Sequence, residues 1–282
     1  MVKKIDSFIS YWNGIKELMP RNDSEILFFR GQSNGRHQYA EPGICHSLNF
    51  CENDEYHQIL IDYPEEFSKN SHLSNLVKMQ HFGCDTRLLD FSLNPLIALY
   101  FATEFDHDTD GKVFVAKVSK KDVLYQDSDK AIMLSCLPKF SKSEQDELKR
   151  FFQSHPGRIT DQDISVDGII NKFLHEIRSE LPAFKSEIVG KDLLQYYFLC
   201  PPKDNERMKI QEGAFVIFGL GEKELVQVLN RQLDIIEIEA KAKKEIQNDL
   251  NLMRINTSTV YPGLERRAMM NRGRIAEWKS FK

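Results

Sequence analysis

The sequence predicts an α+β fold: a mixed, largely antiparallel sheet around a buried helix at 95–105, interrupted by a helical insertion. Three observations carry this. Strand patterns occur in both halves of the chain, from Ile26-Leu27-Phe28-Phe29 near the start to residues 233–239 near the end. Residues 96–105 are apolar nearly all round, which marks a helix without a solvent face. Residues 120–190 are more charged and more helical in pattern than their flanks.

The elements follow in order. Ile5, Phe8, Ile9, Trp12 and Ile15 share one side of an amphipathic helix in the first twenty residues. That stretch has neither the apolar core nor the small-residue cleavage site of a leader. Residues 24–31 read as a strand covered on both faces, ended by Gly31. Residues 32–50 are loop-like, with two glycines and a proline. Residues 54–81 are helical, broken at Asp62-Tyr63-Pro64. Residues 86–91 form a short strand, and Asn94-Pro95 opens the buried helix with a favoured cap and a first-turn proline.

Residues 112–119 alternate as a strand. Helices are expected at 141–152 and 167–180, strands at 193–200, 214–219 and 233–239, and a charged helix at 240–253. The last segment, from Asn256, reads as a turn and a closing helix. The organisation expected is one domain over 1–282, with a first half at 20–120, an insertion at 120–192 and closing elements at 193–282.

The chain has 282 residues, 41% hydrophobic, and a net charge of −4. That supplies ample core and gives no global pull toward nucleic acid or anionic lipid. Five cysteines without a CxxC pair read as reduced thiols, and no Cys/His spacing predicts a metal site. With no apolar run long enough to span a bilayer, the expected compartment is the cytoplasm, without membrane association.

Two segments concentrate polar groups against apolar sequence: Phe28-Phe29-Arg30-Gly31-Gln32 and the run from Gln80 to Thr103. A charge in such a setting is costly unless paired. Arg30 at a strand end suits a phosphate or carboxylate, or else pairs internally with Asp90 or with carbonyls. Gly31 permits close approach of another group. Strand alternation puts Thr86, Leu88, Asp90 and Ser92 on one face and Arg87, Leu89 and Phe91 on the other, so Arg87 braces the sheet from behind. His81 reads as structural or hydrogen-bonding more than as a ligand to metal. Gln211-Glu212-Gly213-Ala214-Phe215 enters a strand, where Glu212 sits in water or faces a site. Cys84 reads as a plain thiol.

These segments resemble the FRG domain, a family of bacterial and phage-associated proteins. Phe29-Arg30-Gly31 matches the triplet that names it. Gln80-His81-Phe82-Gly83, Thr86-Arg87-Leu88-Leu89-Asp90, Asn94-Pro95-Leu96 and Ala98–Ala102 resemble its longest signature. Asn205, Arg207, Gln211, Gly213 and Phe215 resemble a third, and Ile255-Asn256 with Val260–Leu264 its tail. One departure stands at His46, where the family has an arginine.

The order of motifs is also similar to mono-ADP-ribosyltransferases of the Arg-Ser-Glu type. That resemblance implies an ADP-ribosyltransferase-like fold and NAD as substrate. It implies a toxin or anti-phage effector with a protein or nucleic acid acceptor. On this mapping Arg30, Asp90, Ser92, Gln211 and Glu212 form the catalytic set. Arg30, Gly31, Gln32, His81, Thr86, Arg87 and Phe215 bind the nucleotide. The third motif offers Gln211 or Gly213 where the transferases have Glu, so either Glu212 turns inward at an irregular strand entry, or the carboxylate is Asp90, or the reaction is a different one. Two other functions fit the residues: a nuclease or nucleotide hydrolase built on Arg30, His81, Arg87 and Asp90, and a non-catalytic module sensing a ligand or phage component.

Overall fold

The computed structural model describes residues 2–35, 39–45, 51–159, 168–185, 187–203 and 205–262. Their order is β1 (Val2–Ile5), α1 (Phe8–Leu18), β2 (Glu25–Gln32), α2 (Glu52–Asp62), α3 (Pro64–Phe67), α4 (His72–His81), β3 (Leu88–Ser92), α5 (Pro95–Thr103), β4 (Gly111–Ser119) and β5 (Leu124–Tyr125). There follow α6 (Asp129–Ser135), α7 (Lys142–Ser154), α8 (Gly168–Glu180), β6 (Tyr196–Cys200), α9 (Glu206–Ile210), β7 (Gly213–Phe218), α10 (Glu222–Gln232), β8 (Asp234–Ile238), α11 (Lys243–Leu252) and α12 (Thr257–Val260).

The strands form one mixed sheet in the order β1-β8-β4-β2-β3-β7-β6-β5. The edge pairs β1/β8 and β5/β6 are parallel, and the pairs between them are antiparallel. The fold is α+β, with the largely antiparallel sheet that the strand patterns predict. One joint is weak. β2 pairs with β4 from Glu25 to Gln32, but it meets β3 at the single position Phe29↔Ser92. Beyond that point the central strands part.

Register places Leu27, Phe29 and Gly31 on the same face as Asp90, Ser92, Gly213 and Phe215. Two apolar layers share this face. α5 lies over β2 and β4, covered by Tyr11 and Ile15 of α1, Ile246 and Leu250 of α11, and Val260 of α12. Alongside it, α2, α4 and α6 to α8 pack on Leu88, Phe215 and Ile217. Residues 120–192 thus contribute a helical layer and the edge strand β5. The opposite face holds Phe28, Phe91, Phe114, Phe198 and Phe218 beneath Val226 and Leu229 of α10.

α5 begins as its sequence dictates. The Asn94 side chain accepts from Leu96 N at 2.9 Å, and Pro95 occupies the first turn, where no backbone donor is needed. Its seat on β2 requires Gly31: a Cβ there would lie 1.8 Å from the Ala98 carbonyl oxygen. The group that Gly31 admits is therefore α5 itself. Lys243 fixes the other end of this layer. Fully buried, it donates to the carbonyls of Ser33, Phe105 and Asp106 at 2.6, 3.0 and 2.9 Å.

Some expectations are corrected. The N-terminal apolar residues do not share one helix face: Ile5 belongs to β1, Ile9 and Trp12 are exposed, and Tyr11 and Ile15 are the buried positions. Residues Gly190–Leu194 form a 3-10 turn, so β6 starts later than the pattern suggests. α6, α9 and α10 are helices that the sequence patterns do not predict. His46 and the closing helix beyond residue 262 lie outside the described residues.

Candidate functional site

Where β2 and β3 part, a hollow of about 160 Å3 opens, and Arg30, Asp90, Ser92, Arg207 and Gln211 line it together with Phe29, Phe101, Met208 and Phe215. Four segments far apart in sequence meet here. β2 brings Phe29 and Arg30, β3 brings Asp90 and Ser92, α5 brings Phe101, and the α9–β7 segment brings Arg207, Met208, Gln211 and Phe215.

Arg30 donates from Nη1 to the Asp90 carbonyl at 2.9 Å, across the strand gap. Its Nε is buried and has no hydrogen-bond partner among the described residues. A buried donor left unmade is costly, and native interiors rarely keep one without a reason. Burial pushes the guanidinium pKa down, and the charge of Asp90 opposes that.

Asp90 is held by a relay. Leu88 N donates to Thr86 Oγ1 at 3.1 Å, Thr86 Oγ1 donates to Gln80 Oε1 at 2.6 Å, and Gln80 Nε2 donates to Asp90 Oδ2 at 2.9 Å. The relay sets the Gln80 amide so that its donor faces the carboxylate of Asp90, an exposed residue that lines the hollow.

Ser92 is buried, and its hydroxyl is engaged. It donates to the Gln211 carbonyl at 2.6 Å and accepts from Asn94 N at 2.9 Å. It ties β3 to the entry of β7. Gln211 ends α9 and donates from Nε2 to the Val260 carbonyl at 3.1 Å. Glu212 adopts φ of +45°, a left-handed conformation that a side-chain-bearing residue seldom takes. The irregular strand entry exists, but the Glu212 carboxylate accepts from Asn94 Nδ2 at 3.0 Å and does not line the hollow. Asp90 is the carboxylate found there.

Arg30, Gly31, Asp90, Ser92, Gln211 and Phe215 are thus brought together, while Gln32, His81, Thr86, Arg87 and Glu212 lie outside the lining. Arg87 corrects the cofactor-binding expectation most clearly. It is buried, with Nε donating to Glu52 Oε1 at 2.9 Å and Nη2 to Glu52 Oε2. Nη1 reaches the Phe218 carbonyl at 3.1 Å and Nη2 also Gln145 at 3.2 Å. It joins α2 and α7 to the sheet, so the arrangement of Arg30, His81, Arg87 and Asp90 does not assemble. Thr86 acts through Gln80, and Gln32 Nε2 lies 3.5 Å from the Asn34 carbonyl.

Arg207 also lines the hollow, a position to which the sequence motifs assign no role in the site. It stands four before Gln211, and Gln211 N donates to its carbonyl at 2.9 Å, which puts both side chains on one face of α9. Its guanidinium lies 5.4 Å from the Tyr261 ring centre. Among the described residues no group of three or more His, Cys, Asp or Glu side chains forms a candidate metal site. No described helix is long and apolar enough to cross a membrane.

The α+β fold and this polar hollow at a sheet split define a protein with a candidate small-ligand site. Residues 25–111 match the family model of the FRG domain. The match runs from the first residue of β2 to the first of β4, and so includes Arg30, Asp90 and Ser92, whereas Arg207, Gln211 and Phe215 come from outside it. Searches of curated proteins and of solved structures find no match.

Proposed function

We propose that the hollow binds an anionic nucleotide-type small molecule, with NAD as the candidate, and that the chain acts as an ADP-ribosyltransferase-like enzyme or NAD glycohydrolase. The observation that carries this is the Arg30 guanidinium, which faces Asp90 with a buried Nε left unbonded. Arg30 holds a phosphate or the nicotinamide ribose. A hollow of about 160 Å3 takes one end of a dinucleotide, since whole-ligand sites run to roughly 300–1,000 Å3.

NAD supplies a glycosidic bond with nicotinamide as the leaving group. As that bond breaks, positive charge develops on the ribose, and in this reading Asp90, which lines the hollow, stabilises it. Gln80 keeps that carboxylate oriented. Water or a nucleophile on a protein or nucleic acid acceptor takes the ribosyl group. The role as toxin or anti-phage effector rests on the family resemblance.

A second reading is a non-catalytic ligand-sensing module. The internal engagement of Ser92 and Glu212, the two side chains that the transferase mapping needs most, favours it. Nicotinamide release followed by chromatography separates the two. The first reading expects release by the wild type and at least a 100-fold loss in Asp90→Asn. Ligand binding without any release leaves the sensing module.

A further inference from the structure

Two guanidiniums and one carboxylate line the same small hollow. Two like charges confined together repel unless an anion lies between them. Asp90 offsets this only in part: its single negative charge acts on Arg30, but Gln80 bonds its carboxylate and Arg30 bonds only its main-chain carbonyl. A guanidinium carries five N–H donors. Arg30 directs one to a carbonyl, and Arg207 makes one long contact, 3.5 Å from Nη1 to the His81 carbonyl. Neither forms an ion pair with a described acid closer than 4 Å.

Arg207 is also positioned. Its guanidinium lies against the Tyr261 ring, and Tyr261 is held in turn by its hydroxyl, which donates to Glu104 Oε2 at 2.7 Å. Tyr261 packs edge-on against Tyr100 and Phe101, and Phe101 itself lines the hollow. The ring holds the cation by its face and leaves the N–H edge free to bond outward. Such a platform orders a long side chain before any ligand arrives, which lowers the entropy cost of binding.

We propose that Arg30 and Arg207 form a two-guanidinium clamp for a diphosphate group, one phosphoryl to each, with Tyr261 as the platform that positions Arg207. This rests on the reading that the hollow takes an anionic ligand, and it names the class: a phosphoanhydride. A single phosphate engages one arm of the clamp fully, whereas a diphosphate engages both.

The test is calorimetric titration of the full chain with inorganic pyrophosphate and, separately, orthophosphate. The expected result is a pyrophosphate preference of at least tenfold in the wild type. Arg207→Ala weakens pyrophosphate roughly 10- to 100-fold and removes the preference, because it deletes a set of charge-assisted hydrogen bonds. Arg207→Lys keeps charge and stem, so it guards against a folding failure. It should retain orthophosphate binding and lose most of the preference, since an ammonium lacks the planar fork. Tyr261→Leu, which leaves Arg207 in place, should fall between. Equal binding of the two anions by the wild type overturns the clamp, as does undiminished pyrophosphate binding in Arg207→Ala. Absence of nicotinamide release removes the enzymatic reading alone. Tight NAD binding through Arg30 with no response to Arg207 removes the clamp alone.

Discussion

Arg30 donates to the main-chain carbonyl of Asp90 at 2.9 Å and leaves the Asp90 carboxylate to Gln80. The distinction matters. A guanidinium closed on a carboxylate has little left to offer a ligand, whereas this one keeps its charge and a buried Nε in reserve. The cause is geometric. β2 and β3 pair only at Phe29↔Ser92, and the side chain of the next residue crosses to the Asp90 carbonyl.

Arg87 shows the contrasting case. Its side chain is 1% exposed and that of Glu52 9%, so the pair is sealed between α2 and the sheet. Removing one partner leaves a buried charge. Glu52→Gln or Arg87→Met should cost about 3–5 kcal/mol in urea denaturation. A loss under about 1 kcal/mol contradicts this assignment.

Gly31→Ala should be among the most damaging single changes in the chain. The added methyl would meet backbone atoms of α5, 1.8 Å from Ala98 O and 2.7 Å from Ala102 N. Backbone cannot swing aside as a side chain can, so β2 and α5 must separate. We expect loss of about 3 kcal/mol or more, or no soluble folded protein, by circular dichroism and melting. A variant that melts within two degrees of wild type would show that the layer has slack.

Ser92 and Asp90 should separate structure from chemistry. Ser92→Ala deletes the bond to the Gln211 carbonyl and the acceptor for Asn94 N, and should cost about 1–3 kcal/mol of stability. Asp90→Asn lies at an exposed position and should change stability by less than about 1 kcal/mol while it suppresses turnover. The reverse pattern would exchange the two roles.

His72 predicts a pH dependence. Burial, helped by the charge of Lys139, lowers its pKa to about 4 against the opposing Glu176. Burial raises the pKa of the neighbouring Glu180. A base whose folded pKa is depressed makes the unfolded chain take up the proton first. The associated stability is complete above about 6.5 and is lost as pH falls toward 4. Glu180 acts in the opposite sense, so the comparison needs His72→Asn. The stability difference, wild type minus variant, should shrink by about 1–3 kcal/mol between pH 7 and pH 4.5. A difference independent of pH contradicts the burial of a neutral imidazole.

Much of the fold was legible because it rests on local rules. Four apolar residues before Arg30 gave β2, and Asn94-Pro95 with an apolar run gave α5. Pro64 marked the break between α2 and α3. Alternation put Arg87 on the face opposite Asp90 and Ser92, whereas its side chain is bound by α2 and α7, helices that pack on the face those two share. The rest depends on tertiary context. Ile9 and Trp12 fit the same helical stripe as Ile15, and only packing against β8 and α5 selects Tyr11 over them. Alternation does not assign Glu212, because its left-handed backbone breaks the two-residue period. Arg207 joins the hollow only because α9 folds back beside β3, a pairing 115 or so residues distant in the chain that no local pattern encodes.

The most direct test of the account is calorimetric titration of NAD into the wild type and Arg30→Ala, with melting curves showing that both are folded. The account predicts binding by the wild type and a loss of roughly 10- to 100-fold or more in the variant. Equal affinity in the two proteins, or a folded wild type that binds no NAD, would contradict it.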